Sequence, residues 1–391
     1  MKILYLHQYF KTPEEGGALR SYHLSHALVQ AGHEVELITS HNQKRYQLKI
    51  IEGVKVHYLP VNYDNSFGAI SRIFSFVKFV IQAHRKAKSI SNVQLCYATS
   101  TPLTVGIIAL RLKRKKGIPY FFEVRDLWPE APIQMGVIKS SIIKTYLYGL
   151  ERRIYEGADK LIALSPGIKE GVEKVVTNKP IVVIPNIADC EYFYPQIKAV
   201  SIEEKFGVKD KFVLSYIGTL GAANKVESLL AAARECKKEK LTEVLFFIAG
   251  KGKELTYLKA LANKWGLDNL KFIGHLDREG VRELLNITDA VYISFDSKPV
   301  LETTCPNKFF DAIAAGKLCI VNSKGWIKEL IEQQYCGFYT DPENPASFVN
   351  SLSVFVSNKN KLLEYQQNSR KLAEKAFSKE VLLPQFLQLF K

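Results

Sequence analysis

Short apolar runs alternate with helical patterns throughout the first half of the chain. Seven runs have the length and composition of buried strands, and helical patterns, the first at residues 18–31, separate most of them. The predicted strands are Lys2–Leu6, Val35–Ile38, Val54–Leu59, Val93–Tyr97, Tyr120–Val124, Leu161–Leu164 and Ile181–Ile184. Strands and helices that alternate in this way predict a parallel sheet with helices on both faces.

The same pattern begins again after a looser stretch, Asn186–Ser201. Five further runs predict the strands Phe212–Ile217, Val244–Ile248, Leu270–Ile273, Ala290–Ile293 and Leu318–Val321. We therefore predict two doubly wound α/β domains, at residues 1–188 and 189–375. Residues 376–391 are expected to form a C-terminal helix that can cross back onto the first domain, with breaks in the helical pattern near Phe377 and at Pro384.

Positive charge is concentrated in the first half of the chain. The net charge is +15, and residues 1–190 hold 26 Lys and Arg against 15 Asp and Glu. Two basic segments stand out there, the amphipathic stretch Ala69–Lys88 and the cluster Arg111–Lys116. This charge favours an anionic partner, either a membrane surface or a nucleic acid. A core-facing helix with a solvated basic face is an equally open interpretation of Ala69–Lys88.

The six cysteines are scattered and form no C-x-x-C pair, which is typical of reduced, cytosolic thiols. The N-terminus lacks the apolar segment of a signal peptide, and no run of about 18 apolar residues predicts a membrane-spanning helix. A nucleic-acid binder is disfavoured because no recognisable binding module is present. A dehydrogenase is disfavoured because neither half contains G-x-G-x-x-G followed by an acidic residue.

Three glycine-containing loops follow predicted strands and precede helices. They contain Gly16 and Gly17, then Gly218 with Lys225, and then Gly250 with Gly252. Glycines let a phosphate approach the backbone, and a lysine can supply a point charge to a diphosphate. Turns that require positive φ angles are the alternative. Two such loops at one edge of the second sheet favour a nucleotide-binding crevice there.

Two further segments carry candidate chemistry. In "TTCPNKFFDAIAAGK" the residues Pro306, Asn307, Lys308 and Asp311 lie at the start of a predicted buried helix, where a carboxylate can accept hydrogen bonds from ribose hydroxyls. The alternative is an acidic residue that favours the first helical turn. In "FFEVRDLWPEAP" a charged cluster that includes Arg125 and Asp126 follows a strand, and an ordinary surface ion pair is the alternative.

These segments, together with "LSPGI", "VIPNI" and "FIGHL", resemble the family 4 glycosyltransferases in order along most of the chain. The family's enzymes retain the anomeric configuration and have the GT-B architecture, two doubly wound Rossmann-like domains that face a central cleft. The group that looks closest transfers fucosaminyl or related sugars in O-antigen and capsule synthesis.

The resemblance implies a role for each matching residue. Arg125, Asp126 and Lys225 would be catalytic, with Lys225 as the phosphate-binding lysine. The implied donor-binding residues are Gly16, Gly17, Gly218, Gly250, Gly252, His275, Leu276, Pro306, Asn307, Lys308 and Asp311. Thr219 and Thr303 stand where the family usually has an Arg and a Glu, and Arg125 stands where it has a His.

The implied reaction moves an N-acetylated or deoxy hexose from a UDP-sugar to a lipid-linked or saccharide acceptor. No metal and no cofactor are predicted, since the nucleotide-sugar is a substrate, and no nucleic-acid partner is expected. The basic first domain predicts a cytoplasmic enzyme that is peripheral at the inner face of an anionic membrane. A UDP-HexNAc 2-epimerase on the same fold is the alternative, and it would need no acceptor.

Overall fold

The computed structural model describes residues 1–64 and 67–391, and these fall into two compact units. The first unit comprises Met1–Pro185, Thr303–Cys305 and Leu383–Lys391. The second comprises Asn186–Glu302 and Pro306–Leu382. Each unit has its own sheet, as the two separate series of apolar runs predict.

The first unit contains an eight-stranded sheet in the order β3-β4-β2-β1-β5-β6-β7-β8. Its strands are β1 (Lys2–Leu6), β2 (Glu34–His41), β3 (Gln47–Ile51), β4 (Val54–Pro60), β5 (Leu95–Thr99), β6 (Tyr120–Val124), β7 (Lys160–Ala163) and β8 (Ile181–Val183). The predicted parallel sheet is confirmed, with an addition at one edge, where a strand that the sequence pattern did not indicate, β3, pairs antiparallel with β4. The apolar residues of β3, Leu48 and Ile50, are exposed there.

Helices cover both faces of this sheet. They are α1 (Arg20–Gln30), α2 (Ala69–Ser89), α3 (Val105–Lys116), α4 (Glu130–Gln134), α5 (Ser141–Gly157) and α6 (Pro166–Glu173). Neighbouring residues of β6 point to opposite faces, as strand geometry requires. The ring of Phe122 contacts Tyr155 of α5, whereas Phe121 contacts Phe390 near the C-terminus. Helices α2, α3 and α5 pack side by side, α3 between the other two.

The second unit contains a six-stranded, fully parallel sheet in the order β11-β10-β9-β12-β13-β14. Its strands are β9 (Phe212–Ile217), β10 (Val244–Ala249), β11 (Leu270–Gly274), β12 (Ala290–Ile293), β13 (Leu318–Val321) and β14 (Gly337–Tyr339). The five predicted strands are confirmed, and β14 is an addition that its three-residue length conceals in the sequence.

Nine α-helices lie entirely within the described part of the second unit. They are α7 (Val200–Phe206), α8 (Glu227–Lys238), α9 (Leu255–Lys264), α10 (Arg278–Ile287), α11 (Pro299–Glu302), α12 (Asn307–Ala314), α13 (Trp326–Gln333), α14 (Pro345–Ser357) and α15 (Lys359–Leu372). Helices α8, α9, α14 and α15 pack on a core that includes Leu214, Phe246 and Tyr292, whereas α7 and α10 pack on a second cluster that includes Phe247. This core fixes the positions of the loops at the carboxyl ends of the strands.

The C-terminal segment corrects one prediction. A π-helical turn, Ala373–Phe377, follows α15, so the expected break near Phe377 is present. The last helix, α16 (Lys379–Leu387), continues through Pro384, where the sequence predicts a second break. Among the residues that the structure describes, no helix is long and apolar enough to cross a membrane.

Candidate functional site

Four neighbouring strands of the second sheet end in loops that contain predicted donor-binding residues. Gly218 follows β9, Gly250 follows β10, His275 follows β11, and Lys308 lies on α12 beyond β12. These strands are adjacent in the order β11-β10-β9-β12, so their carboxyl ends lie side by side. The backbone joins the loops, since the amide of Gly218 donates to Ala249 and that of Gly250 to Gly274. Ligands of open α/β sheets bind at such an edge.

The glycines of the β10 loop have a packing role. A Cβ on Gly250 would lie 1.8 Å from the carbonyl oxygen of Gly218, and a Cβ on Gly252 would lie 2.0 Å from that of Leu220. No side chain fits at either position unless the backbone moves, and Gly250 also has a φ angle of +152°. Close approach of the two loops therefore explains both glycines without a ligand, and their donor contact stays a prediction.

Lys308 extends from the first turn of α12 to the β9 loop. Its Nζ donates hydrogen bonds to Oη of Tyr216 at 3.1 Å and to Oδ1 of Asn224 at 3.0 Å. The amine also lies 4.3 Å from the ring centre of Tyr216 and 5.3 Å from that of Phe295. Burial in these surroundings lowers the pKa of Lys308 to about 7. The lysine is therefore a basic group at the centre of the joined loops.

Lys225 ends a short 3₁₀ turn, Ala222–Asn224, in the left-handed conformation with a φ angle of 41°. Its side chain is 51% exposed, and its Nζ lies 3.9 Å from Oε2 of Glu227. An exposed pair at this distance contributes little to stability. The lysine is thus accessible to an anion that approaches the β9 loop.

Asp311 lies one turn beyond Lys308 on α12, which begins after Pro306. Burial raises the pKa of the Asp311 carboxyl to about 7, opposed by the nearby guanidinium of Arg278. Asn307 is the first residue of the helix.

The residues after β11 have different surroundings. His275 is exposed, whereas Leu276 is partly buried and packs against a small apolar cluster that includes Phe247 and Leu284. The structure thus accounts for Leu276 by packing, and His275 is the more accessible of the two predicted base-binding residues.

In the first unit, Gly16 and Gly17 lie between β1 and α1 with φ angles of +66° and +92°. Positive φ explains why glycine occupies both positions. A Cβ at either position would meet nothing within 4 Å, so the space beside this loop is open. The structure therefore supports the turn interpretation and leaves room for the predicted ligand.

Arg125 directly follows β6 and does not form the ordinary ion pair with Asp126. Its backbone amide donates to Oγ of Ser100 at 2.9 Å, and its Nη1 donates to Nε2 of His7 at 3.2 Å. Burial and the adjacent guanidinium lower the pKa of His7 well below its ordinary value. His7 is therefore neutral, with its proton on Nδ1 while Nε2 accepts.

The carboxyl of Asp126 is mostly buried beside Arg125. Burial raises its pKa to about 6, although the Arg125 guanidinium acts in the opposite direction. A carboxyl group with a pKa near neutrality at the carboxyl end of a strand is typical of a functional site.

Glu123, two residues before Arg125, has a structural role instead. Glu123 lies inside β6, is fully buried, and accepts hydrogen bonds from Arg20, Tyr97 and Thr99. The Arg20 guanidinium, 2.8 Å away, holds the pKa of Glu123 down at about 2 despite burial. This buried ion pair connects α1 to β6. It thereby fixes the loop before α1, which contains Gly17, and the loop after β6, which contains Arg125.

Sequence reasoning missed His7, Tyr216 and Asn224. His7 is the first residue after β1, and its position at a strand end was the available signal. Tyr216 lies within β9, and its role depends on a lysine 92 residues away, which no local pattern indicates.

Helix α2 has two apolar stripes rather than one. One stripe, which includes Phe79, Ala83 and Ala87, packs on the first sheet and is buried. The other follows helical spacing and is exposed: Ile70 at 84%, Ile73 at 59%, Phe74 at 70%, Val77 at 50% and Ile81 at 44%. The first turns of α5 expose Ile142, Ile143 and Tyr146. We call the five exposed residues of α2 the apolar surface.

Helix α2 also contacts the Arg125 loop, through residues that lie outside the apolar surface. The ring of Phe76, on the same helix, contacts Trp128 three residues beyond Arg125, and Ser75 accepts a hydrogen bond from Gln8 after β1. The interpretation of Ala69–Lys88 as only a core-facing helix with a basic outer face is therefore incomplete.

Comparison with known proteins gives two family matches, one for each half of the chain. The "Glycosyl transferase 4-like domain" matches residues 15–187, and "Glycosyl transferases group 1" matches residues 200–372. The uncharacterized glycosyltransferase MJ1607 of Methanocaldococcus jannaschii is 23% identical over 347 residues, which cover 85% of this chain and 83% of that protein. A match to YtcC of Bacillus subtilis, 23% identical over 184 residues, spans 45% of this chain and less than half of that protein (44%).

Two solved structures resemble the whole chain. Sucrose-phosphate synthase from Thermosynechococcus elongatus has a TM-score of 0.80 at 16% identity and covers 100% of this chain and 98% of its own. Anabaena Alr3699/HepE in complex with UDP and glucose has a TM-score of 0.69 at 19% identity, with coverage of 100% and 99%. These likenesses show the GT-B fold. With both halves matched by glycosyltransferase families, the chain belongs to the family 4 glycosyltransferases, enzymes that transfer a sugar from a nucleotide-sugar donor.

Proposed function

We propose that this enzyme transfers a sugar from a UDP-sugar to a lipid-linked saccharide acceptor, with retention of configuration, in the synthesis of a surface polysaccharide such as O-antigen or capsule. The observation that carries the proposal is the meeting of the β9 loop, Lys225 and Lys308 at the carboxyl edge of the second sheet. Two lysines at a glycine-containing loop provide the charge that a diphosphate needs.

In this proposal the second unit binds the donor. The amines of Lys225 and Lys308 bind the diphosphate at the β9 loop, and the carboxylate of Asp311 accepts hydrogen bonds from the ribose hydroxyls. The loop after β11, with His275, binds the base. UDP is the proposed nucleotide because Alr3699/HepE, which has the same fold, is in complex with UDP. The sugar is an N-acetylated or deoxy hexose, as the resemblance implies.

The chemistry is leaving-group departure assisted by positive charge. The bond between the anomeric carbon and the diphosphate oxygen breaks, and the acceptor oxygen attacks from the same face. The acceptor's proton passes to the departing diphosphate oxygen. Lysine amines and amide N–H groups aimed at that diphosphate stabilise the charge that develops there. The predicted roles of the first-unit residues are kept in this proposal: Gly16 and Gly17 bind the donor, and Arg125 and Asp126 are catalytic. Asp126 accepts a hydrogen bond from the acceptor sugar.

The acceptor is lipid-linked because the apolar surface needs an apolar partner. Phe74 and Ile70, both on α2, are more than two thirds exposed. Lys78, Arg85 and Lys88 follow the exposed stripe along α2 at helical spacing. Apolar side chains flanked by cations fit the interface of an anionic membrane, which we propose as the occupant of this surface. A peripheral position at the inner face of the cytoplasmic membrane follows.

A panel of UDP-, GDP- and dTDP-sugars, scored by thermal shift, tests the donor assignment. A UDP-sugar at a hundredfold excess over its Kd should stabilise the enzyme by about 2.7 kcal/mol. Each stabilising donor is then incubated with a polyprenyl diphosphate-linked sugar, and transfer is followed by UDP release and product mass. Stabilisation by GDP- or dTDP-sugars alone would reject the UDP assignment. A new nucleotide-sugar formed without acceptor would indicate the epimerase instead.

A further inference from the structure

Lys308 is a mostly buried amine for which no carboxylate partner is found. Its two hydrogen-bond acceptors, Tyr216 and Asn224, are both uncharged groups. Within residues 1–64 and 67–391, Lys308 takes part in no ion pair, and burial is the one cause of its lowered pKa. Most buried charges are paired, because an isolated ammonium loses its hydration without compensation.

The hydrogen bonds of Lys308 hold its amine at a defined point. Tyr216 accepts from Nζ and donates its own hydroxyl proton to the carbonyl of Thr219 at 2.7 Å, so the acceptor lone pairs of Tyr216 face the lysine. An ammonium has three N–H groups, and these two contacts use two of them. The third N–H remains for a further acceptor.

The amine lies against the backbone of the candidate phosphate loop. A Cβ on Gly218 would be 3.5 Å from Nζ and 3.4 Å from Cε of Lys308. Both are ordinary van der Waals distances, so the lysine side chain lies directly beside Gly218. An anion bound to the amides of this loop would also meet Nζ of Lys308 and the first turn of α12.

We propose that donor binding takes up a proton at Lys308, because the bound diphosphate supplies the anionic partner that this buried amine lacks in the free enzyme. This inference rests on the proposed function. It assigns the proton uptake to the buried Lys308 and not to the half-exposed Lys225.

The direction of the linkage follows from the surroundings of Lys308. Burial lowers its pKa to about 7, and a bound diphosphate raises it again through Coulomb attraction. Binding therefore takes up protons above pH 7, and affinity falls as pH rises. Of the groups that face Nζ, Tyr216 has a pKa raised by burial and stays neutral, and Asn224 does not titrate.

Asp311, one turn away on α12, must be separated from this effect. Its pKa is also about 7, and ribose hydroxyls that donate to the carboxylate would lower it and release a proton. A comparison between wild type and a Lys308 variant cancels this contribution, since both proteins retain Asp311.

The test is calorimetric titration of UDP into the enzyme at pH 8 in buffers of different ionisation enthalpy. At this pH the terminal phosphate of UDP is already dianionic, because its pKa is about 6. We expect wild type to take up close to one more proton per UDP than Lys308→Met does, and we expect Lys308→Met to bind UDP roughly tenfold or more weakly. Uridine, which lacks the diphosphate, should bind both proteins equally.

Lys225→Met is the matched control, since it removes a lysine from the same loop. It should weaken UDP binding but leave the proton uptake of wild type unchanged. Lys308→Arg, whose charge does not titrate, should retain UDP binding without that uptake, and it serves as the second variant if Lys308→Met does not fold. Equal proton numbers and equal UDP affinities for wild type and Lys308→Met would overturn the inference. Failure of wild type to bind UDP would instead reject the proposed function.

Discussion

The guanidinium of Arg125 donates a hydrogen bond to Nε2 of His7 across 3.2 Å, and this contact joins the ends of β1 and β6. Because the pKa of His7 is far below its ordinary value, His7 is neutral at physiological pH and can accept this bond throughout the working range. The pair therefore sets the orientation of Arg125 in the proposed acceptor-binding unit.

Replacement of His7 tests this positioning role. His7→Phe keeps a ring but removes the acceptor, so it should lower kcat roughly tenfold or more because Arg125 loses its orientation. The affinity for UDP should stay unchanged, since the two lysines proposed to bind its diphosphate, Lys225 and Lys308, lie in the second unit. His7→Gln, which retains an acceptor oxygen, should recover part of the activity. A loss of UDP binding in His7→Phe would contradict this separation of roles.

The pH dependence of kcat/KM for the acceptor, measured at saturating donor, reports on Asp126. Its pKa is raised to about 6, so the carboxylate that we propose to bind the acceptor is protonated as pH falls below that value. We expect this kcat/KM to decrease by about tenfold per pH unit below pH 6 and to be level above it. Asp126→Asn should be less active throughout and lack this acidic limb. An unchanged acidic limb in Asp126→Asn would assign the ionisation to another group.

Gly250→Ala tests the packing of the two glycine-containing loops. The new Cβ would lie 1.8 Å from the carbonyl oxygen of Gly218, so the β9 and β10 loops must separate. We expect a loss of about 2 kcal/mol or more in stability, seen as a lower Tm, together with weaker UDP binding. Gly266→Ala is the control, because Gly266 has a φ of +60° and open space, and should cost only about 1 kcal/mol. Equal Tm losses would contradict the packing account.

The apolar surface can be tested with vesicles. Ile70→Ser combined with Phe74→Ser should weaken binding to vesicles that contain anionic lipid by roughly tenfold or more, since each buried apolar side chain contributes about 1.5–3 kcal/mol. Ile197→Ser is the matched control, because Ile197 is 95% exposed in the second unit. Cosedimentation at low and high salt separates the electrostatic contribution to vesicle binding, which salt screens, from the apolar contribution. Absence of vesicle binding by wild type at low salt would reject the membrane as occupant.

The repeated strand and helix pattern was sufficient to predict both sheets, because buried parallel strands are continuous apolar runs. The pattern did not indicate β3, because Leu48 and Ile50 are exposed on this edge strand. It also predicted a break at Pro384, but helix α16 continues through this proline, which lies beyond its first turn. The candidate site was predicted where glycine and charge follow a strand, as for Gly218 and Arg125. It was missed where a role depends on a distant partner, as for His7 and Tyr216, since sequence patterns carry only local spacing.

The crystal structure of the enzyme with UDP bound tests the account most directly. We expect the diphosphate at the carboxyl edge of the second sheet, within about 3 Å of the amines of Lys308 and Lys225 and of the Gly218 loop, and the ribose hydroxyls at the carboxylate of Asp311. UDP bound elsewhere, with Lys308 still directed only at Tyr216 and Asn224, would contradict it.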